Sequence, residues 1–253
     1  TLDRTLEYGG KTVPIYRDRP LNVFSDVDFI WTGEENENQR RVEYLGGEFR
    51  TRYGIDVSSY QGTIDWAAVA ADGVDFAIIR LGYRGYTQGA IQTDSCFYQN
   101  IQGALDAGLD VGVYFFSQAI TPEEARQEAD YVLSLLESYP ITCPVVYDWE
   151  PITFAEGART DQLENEVLTQ CAAAFCQRIA QAGYTPAVYF NQEMGYFSFD
   201  LKELSPFQFW LAEYDSYPSF YYGFTLWQYT HEGRVDGIQT PVDWNLDFSG
   251  LKR

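Results

Sequence analysis

Val145-Val146-Tyr147-Asp148-Trp149-Glu150 runs two β-branched apolar residues straight into two acids spaced i, i+2. Side chains alternate across a strand, so Asp148 and Glu150 face the same side, with Cα atoms about 6.5 to 7 Å apart. Charged groups beside a core must be solvated, paired or protonated. Folding alone therefore gives little reason to end an apolar strand on two same-facing acids. At the C-terminal end of a barrel strand, such a pair sits where barrel enzymes keep their chemistry. A short D-x-E is also an ordinary solvated strand end, so its meaning depends on the flanking sequence.

Outward from this stretch the chain alternates strand and helix. Residues 54–57 read as a short strand, 65–71 as a helix, and 75–81 as a strand buried on both faces. Residues 97–107 read as a helix closed by Gly108, and 109–116 as the next strand. Thr121-Pro122-Glu123-Glu124 is a helix start, with Thr121 as N-cap, Pro122 at the first helical position and Glu124 completing a capping box. That helix runs to about Ser138 and delivers the chain to the Asp148 strand. Residues 160–182 form another helix, stopped by Gly183, and 185–190 a strand, after which 207–214, 224–230 and 242–248 look like strands joined by short loops. About five β/α units followed by mostly β-strands predict an α/β fold, a modified TIM-like (β/α) barrel with its site at the C-terminal strand ends. The alternative is a doubly wound sheet. It would ordinarily carry a Gly-rich phosphate loop, and Gly82-Tyr83-Arg84-Gly85 matches neither G-x-G-x-x-G nor a P-loop.

Residues 1–52 differ in character and are expected to form a β-hairpin-like N-terminal extension of unassigned role, leaving 53–253 as the barrel domain. Their β-like runs are 12–16, 23–31 and 41–49, with the last two joined as a hairpin across a charged loop. The sequence starts at Thr1 without a Met or a charged region followed by an apolar run, so any export signal is expected to have been removed or never present. No apolar run is long enough to span a bilayer, so membrane contact by this segment is not expected.

The 253 residues carry a formal net charge of −20, which repels nucleic acid and anionic membranes, and nucleic acid is excluded as a partner. Aromatics make up 17% of the chain, including 20 Tyr and 6 Trp, whose flat faces with a polar handle suit sugar rings as well as a packed core. Cys96, Cys143, Cys171 and Cys176 form no CxxC pair, and buried free thiols are expected. A lone histidine, His231, excludes multi-histidine metal sites and receives no role. No metal or cofactor is expected.

Closing the strands into a barrel brings their ends to one mouth. It gathers Asp56, Arg80, Tyr83, Tyr114, Phe116, Asp148, Glu150, Tyr189, Asn191, Trp210, Glu213, Tyr214, Trp227, Gln228 and Asp243. Aromatics of this kind suit a sugar groove. Paired carboxylates suit glycosidic cleavage, where one acid protonates the leaving oxygen and another stabilises or attacks the anomeric carbon. Crowded carboxylates cannot all ionise, so at least one keeps its proton as a general acid. Glu150, with the longer reach, is the candidate.

Four motifs now stand in order: Gly54-Ile55-Asp56-Val57-Ser58-Ser59-Tyr60-Gln61-Gly62 with Ile64-Asp65-Trp66, then Asp148-Trp149-Glu150, Leu226-Trp227-Gln228-Tyr229 and Val242-Asp243-Trp244-Asn245. Over about residues 53 to 248 the chain resembles glycoside hydrolase family 25, the Chalaropsis-type lysozymes. The resemblance implies a modified β/α barrel of five β/α units and three further strands. It also implies N-acetylmuramidase activity on the β-1,4 bond between N-acetylmuramic acid and N-acetylglucosamine in bacterial peptidoglycan, without metal or cofactor. It places Glu150 at the general acid, Asp148 at the second carboxylate, and Asp56 and Asp243 among the catalytic acids of the pocket. The remaining mouth residues Tyr83, Arg80, Tyr114, Phe116, Tyr189, Asn191, Trp210, Tyr214, Trp227 and Gln228 are then expected to bind substrate. Such an enzyme is expected to be secreted or held at the cell surface, acting as a monomer on peptidoglycan glycan strands.

Asp148 is left with two roles, as a nucleophile or as support for attack by the sugar's own 2-acetamido group; the acetamido route is mildly favoured by the family comparison. Two other functions are weighed: a glycan-binding module without turnover, and a hydrolase of another N-acetylated glycan. Binding alone does not call for four acids. Simpler expectations are that Asp65 caps a helix, Trp66 and Trp149 pack away from the sugar, and Arg80 neutralises Asp56 or Asp148.

Overall fold

A computed structural model describes residues 2–16, 20–33 and 41–251. Two hairpins come first, β1 (Leu2–Tyr8) with β2 (Lys11–Tyr16) and β3 (Phe29–Thr32) with β4 (Arg41–Tyr44). The expected second hairpin is present with shorter strands, and residues 34–39 of its charged loop lie outside the described residues. β5 (Phe49–Val57) then enters the barrel, followed by α1 (Trp66–Ala71), β6 (Phe76–Arg84), β7 (Ile91–Thr93), α2 (Phe97–Asp106) and β8 (Asp110–Phe116). The chain continues through α3 (Pro122–Leu136), β9 (Val145–Asp148), α4 (Asn165–Gln181), β10 (Pro186–Asn191), α5 (Gln192–Phe197), β11 (Gln208–Ala212), β12 (Leu226–Gly233) and β13 (Val242–Leu251).

The nine-stranded sheet closes on itself as an eight-stranded barrel through the β5–β6 and β13–β5 pairings, with β7 a short antiparallel spur on β6. β13 runs antiparallel to both of its neighbours, whereas the other barrel strands pair in parallel. This is the modified TIM-like barrel that the alternation predicts, with a helix after each of its first five strands.

Alternation divides each strand into two environments. On β6, Ala77, Ile79 and Leu81 join the outer core beneath the helices, while Phe76 and Ile78 fill the barrel interior with Val146, Ala187, Trp210 and Leu226. β5 passes so close to the Phe76 ring that a Cβ at position 54 would lie 2.2 Å from it, which requires Gly54. At the base of the barrel Arg52 donates to Asp247 from Nε (3.0 Å) and Nη2 (2.6 Å). The interior is thus apolar through its middle, leaving polar groups to gather at the mouth.

Helix caps follow the sequence with one change. Asp65 Oδ1 accepts from the Ala68 amide (3.2 Å), and Thr121 Oγ1 accepts from that of Glu124 (3.2 Å). The Glu124 carboxylate takes the Ile120 amide (2.9 Å) and the Arg159 guanidinium (2.7 Å), in place of the Thr121 amide that a capping box would use.

The last three barrel strands have no helix outside them, and the N-terminal hairpin segment lies against that face. Phe29 packs on Trp227 (ring centroids 5.1 Å), Trp31 on Tyr229 (5.7 Å) and Phe24 on Phe248 (4.5 Å), while Arg41 stacks over Trp244 at 4.5 Å. The first hairpin sits on α5, with Tyr8 against Tyr196 at 5.1 Å. No helix among the described residues is long and apolar enough to cross a membrane.

Candidate active site

A cavity of about 220 Å³ opens at the C-terminal strand ends, lined by Asp56, Tyr114, Asp148, Glu150, Tyr189, Trp210, Tyr214, Gln228 and Asp243. Each belongs to the mouth residues expected from sequence, and seven different barrel strands or the turns directly after them supply the set. The four acids form two pairs.

Asp56 and Asp243 are register partners in the antiparallel β5–β13 ladder, so their carboxylates meet by construction. Asp56 Oδ2 accepts from Gln228 Nε2 (2.9 Å) and Asn245 Nδ2 (2.8 Å). Gln228 is oriented in turn because its Oε1 accepts from the hydroxyls of Tyr189 (3.0 Å) and Tyr214 (2.7 Å). Asn245 is oriented by Trp210 Nε1, which donates to its Oδ1 at 2.8 Å. Burial pushes Asp56 well above the usual carboxylate range, and the Asp243 charge adds to the effect. Burial lifts Asp243 to about 6, against a hydrogen bond from Asp56 and the His231 charge, which both pull down. Two facing carboxylates of this kind share one proton.

Asp148 and Glu150 are the i, i+2 pair on and just beyond β9. Asp148 is buried, and its Oδ1 has no hydrogen-bond partner among the described residues. Burial raises its pKa well above the ordinary value, the Glu150 charge raises it further, and Arg80 pulls the other way. Glu150 is less buried and also raised, by burial first and the Asp243 charge second. Its backbone carbonyl accepts from Gln118 Nε2 at 3.1 Å, which ties the acid to the turn after β8. The mouth therefore holds four carboxylates that resist ionisation, two of them, Glu150 and Asp243, partly open to a ligand.

Other expected contacts lie outside the lining. Arg80 pairs with Asp94, Nη2 to Oδ2 at 2.6 Å, and donates to Ser59 Oγ at 3.0 Å, so its ion-pair partner is neither Asp56 nor Asp148. Asp94 is better placed because it is buried just after the β7 spur and already accepts the Ser59 and Cys96 amides. Tyr83 donates to Gln92 Oε1 on β7 (3.0 Å). Phe116 is half-buried beside Asp148 in the β8–β9 register but outside the lining. Asn191 caps α5, its Oδ1 accepting the Met194 amide at 2.9 Å. Trp227 alternates to the outer face, where it is fully buried and donates to the Glu213 carbonyl (2.7 Å). Glu213 itself accepts from the Ser219 amide (2.8 Å) and hydroxyl (2.6 Å), holding the 213–220 turn. Trp149 and Trp244 are likewise buried away from the cavity.

Sequence reasoning overlooked the roles of Asn245, Gln118 and His231. Asn245 carried a signal, since it is two residues from Asp243 on the same strand face. His231 stacks on Tyr214 at 4.5 Å, a contact made only when β12 and the turn after β11 come together. The cysteines are free, three of them buried and Cys96 partly so. Among the described residues no group of three or more His, Cys, Asp or Glu is arranged to hold a metal.

The family model for glycosyl hydrolases family 25 matches residues 55–238. The chain is 28% identical over 199 residues to the autolytic lysozyme of Clostridium acetobutylicum, covering 78% of this chain and 56% of that protein. It is 30% identical over 210 residues to lysozyme M1 of Streptomyces globisporus, covering 78% of this chain and 67% of that one. The bacterial lysozyme from Streptomyces coelicolor superposes with a TM-score of 0.62 at 27% identity, over 79% of this chain and 92% of its own. This chain thus spans little more than half the length of the clostridial relative.

Proposed function

The chain belongs to glycosyl hydrolases family 25, and from that premise we propose that it is a lysozyme-type N-acetylmuramidase, cutting the β-1,4 bond between N-acetylmuramic acid and N-acetylglucosamine in bacterial peptidoglycan. The observation that carries the reading is the pair of raised carboxylates at the end of β9, with Glu150 facing the cavity. A carboxyl kept neutral by burial is the proton donor that a poor alkoxide leaving group requires. Glu150 is that donor, and as a carboxylate it then takes a proton from the incoming water.

Asp148 is better suited to support than to attack. Its burial and its unpaired Oδ1 favour the neutral carboxyl against the pull of Arg80, and a neutral carboxyl is a weak nucleophile. This supports attack by the substrate's 2-acetamido oxygen. Asp56 and Asp243, sharing one proton and steadied by Gln228 and Asn245, lie on the opposite wall. There they stabilise positive charge as it develops at the ring or on the acetamido nitrogen. Tyr114, Tyr189, Tyr214, Trp210 and Gln228 complete the substrate contacts in this reading.

In this assignment residues 53–253 form the catalytic domain and the preceding segment supports it. The acid substrate site and the lysozyme relatives suit work outside the cell, in a bacterial wall. A glycan-binding module without turnover is disfavoured because all four acids converge on one cavity.

Digestion of purified peptidoglycan, with the new reducing ends reduced by borohydride and identified, tests the proposal. Muramic acid ends from the wild type, and a fall of at least about 10³-fold in Glu150→Gln with binding retained, are expected. Glucosamine ends would identify another bond specificity. Turnover by Glu150→Gln at the wild-type rate would move the acid elsewhere.

A further inference from the structure

The β8–β9 and β9–β10 ladders both end at Asp148, so Glu150 stands beyond the sheet and its backbone needs another holder. The turn after β8 provides it. The Ser117 amide donates to the Asp148 carbonyl (2.7 Å), and Gln118 Nε2 donates to the carbonyls of Glu150 (3.1 Å) and Ser117 (2.9 Å). Two consecutive residues thus hold the backbone of both acids. Carbonyls only accept, which fixes the Gln118 amide with Nε2 toward them and Oε1 on the other side. There the Thr160 hydroxyl donates to Oε1 at 2.6 Å. Gln118 therefore ties the start of the segment after β9 to its later part.

The turn is itself anchored. Ser117 Oγ donates to Glu128 Oε2 on α3 (2.6 Å), and Glu128 Oε1 accepts from Arg84 Nε at the end of β6 (2.6 Å). Arg84 is held in turn, since its Nη1 donates to the Gly89 carbonyl (2.7 Å) and its Nη2 to that of Glu124 (2.9 Å). Arg159, beside Thr160, donates from Nη1 to the Gln118 carbonyl (3.3 Å) and from Nη2 to Glu124 Oε1 (2.7 Å). Arg84, Ser117, Gln118, Glu128 and Thr160 are all buried, and none of them lines the acid cavity. They can therefore act on a substrate only through the acids.

We propose that Gln118, oriented by Thr160 and seated on the Ser117–Glu128–Arg84 chain, is a positioning residue that sets Glu150 through its backbone for proton transfer. The inference rests on the reading of Glu150 as the general acid. A proton donor must lie within hydrogen-bond reach of the leaving oxygen, and a displacement of about 1 Å costs on the order of 100-fold in rate. A buried ion pair is weak ground for stability, because desolvating both charges offsets most of their attraction. The Arg84–Glu128 pair instead gives the turn one place to rest.

The test follows cleavage of peptide-free glycan oligomers of alternating N-acetylglucosamine and N-acetylmuramic acid by the wild type, Thr160→Val, Thr160→Ser and Gln118→Met, each shown to be folded by circular dichroism. Thr160→Val keeps the side-chain shape and removes the hydroxyl that orients the amide. A kcat roughly 10- to 100-fold lower is expected in Thr160→Val and Gln118→Met, with KM within about twofold of wild type and recovery in Thr160→Ser. The alkaline limb of the rate profile, set by the Glu150 proton, moves to lower pH, because an acid released toward water loses the burial that raises it. The double variant is no slower than Gln118→Met alone, since both changes act through one amide. Phe29→Ala, destabilised from the outer face of β12, is the control and keeps the wild-type kcat. Where Gln118→Met fails to fold, Thr160→Val decides, because it leaves the amide and the ion pair in place. Unchanged kcat and pH profile in folded Thr160→Val overturn the positioning role, while cutting by the wild type keeps the hydrolase reading. A kcat loss matched by Phe29→Ala, or a rise in KM alone, overturns it as well, in favour of general loosening or altered binding. A wild type that releases no reducing ends removes the hydrolase reading and the positioning role with it.

Discussion

At the scale of single residues, the two acid pairs differ in how the backbone brings them together. Asp148 and Glu150 come together because they are two residues apart at and just past the end of β9, both lining the cavity. Asp56 and Asp243 are 187 positions apart in sequence and meet because their strands are paired at that register. The second pair has a measurable cost. Asp243 has its folded pKa raised from 3.8 to about 6, so the folded state holds the proton more tightly than the unfolded chain. Its contribution is favourable at low pH and is lost as pH rises through about 6. Two pH units correspond to at most about 3 kcal/mol. Asp243→Asn is therefore expected to be more stable than wild type at pH 8, by up to about 3 kcal/mol, and nearly equal to it at pH 4. Urea unfolding at both pH values reads this directly, and equal differences at both would show that the pair does not share a proton. Under the proposed function the same variant is expected to lose activity, a trade of function against stability.

At the scale of elements, the barrel's last three strands need cover that no helix provides. Trp227, Tyr229 and Trp244 are fully buried or nearly so, and the second hairpin and its flanks supply part of what buries them. Phe29 is 8% exposed and contacts Trp227, Phe24, Tyr44 and Phe248. Removing its ring leaves a cavity on the barrel wall, and Phe29→Ala is expected to cost about 3 to 5 kcal/mol. Denaturant titration, with intrinsic tryptophan emission as the probe, measures the loss. A change below 1 kcal/mol would mean that the hairpin rests on the barrel without supporting it. The helical units show the reverse arrangement, since the apolar rows of β6, β8 and β9 are covered by α2, α3 and α4.

At the scale of the whole molecule, the net charge of −20 acts on everything that approaches. Walls that carry anionic polymers repel such a protein, and added salt shortens the range of that repulsion to about 8 Å at physiological ionic strength. The initial rate of reducing-end release from intact walls is therefore expected to rise several-fold between about 10 and about 150 mM salt. Walls stripped of their anionic polymers should respond much less. A rate that falls with salt on both would mean that local cationic contacts, such as those of Lys11 or Arg126 on the surface, outweigh the net charge.

The sequence by itself determined the β/α alternation, the first four helices, the pair of acids at and just past the end of β9, and the four acids that line the cavity. These follow from periods of 2 and 3.6 and from caps such as Thr121 and Asp65, which act over a few residues. Only the tertiary structure decided that Trp227 turns outward, that Asn191 caps α5, that Arg80 pairs with Asp94, and that Asn245 and Gln228 both aim at Asp56. Each of these depends on a register between strands or on a short helix after a strand, and a shift of one residue sends a side chain to the opposite face. Local patterning states which residues share a face. Barrel closure determines what they meet there.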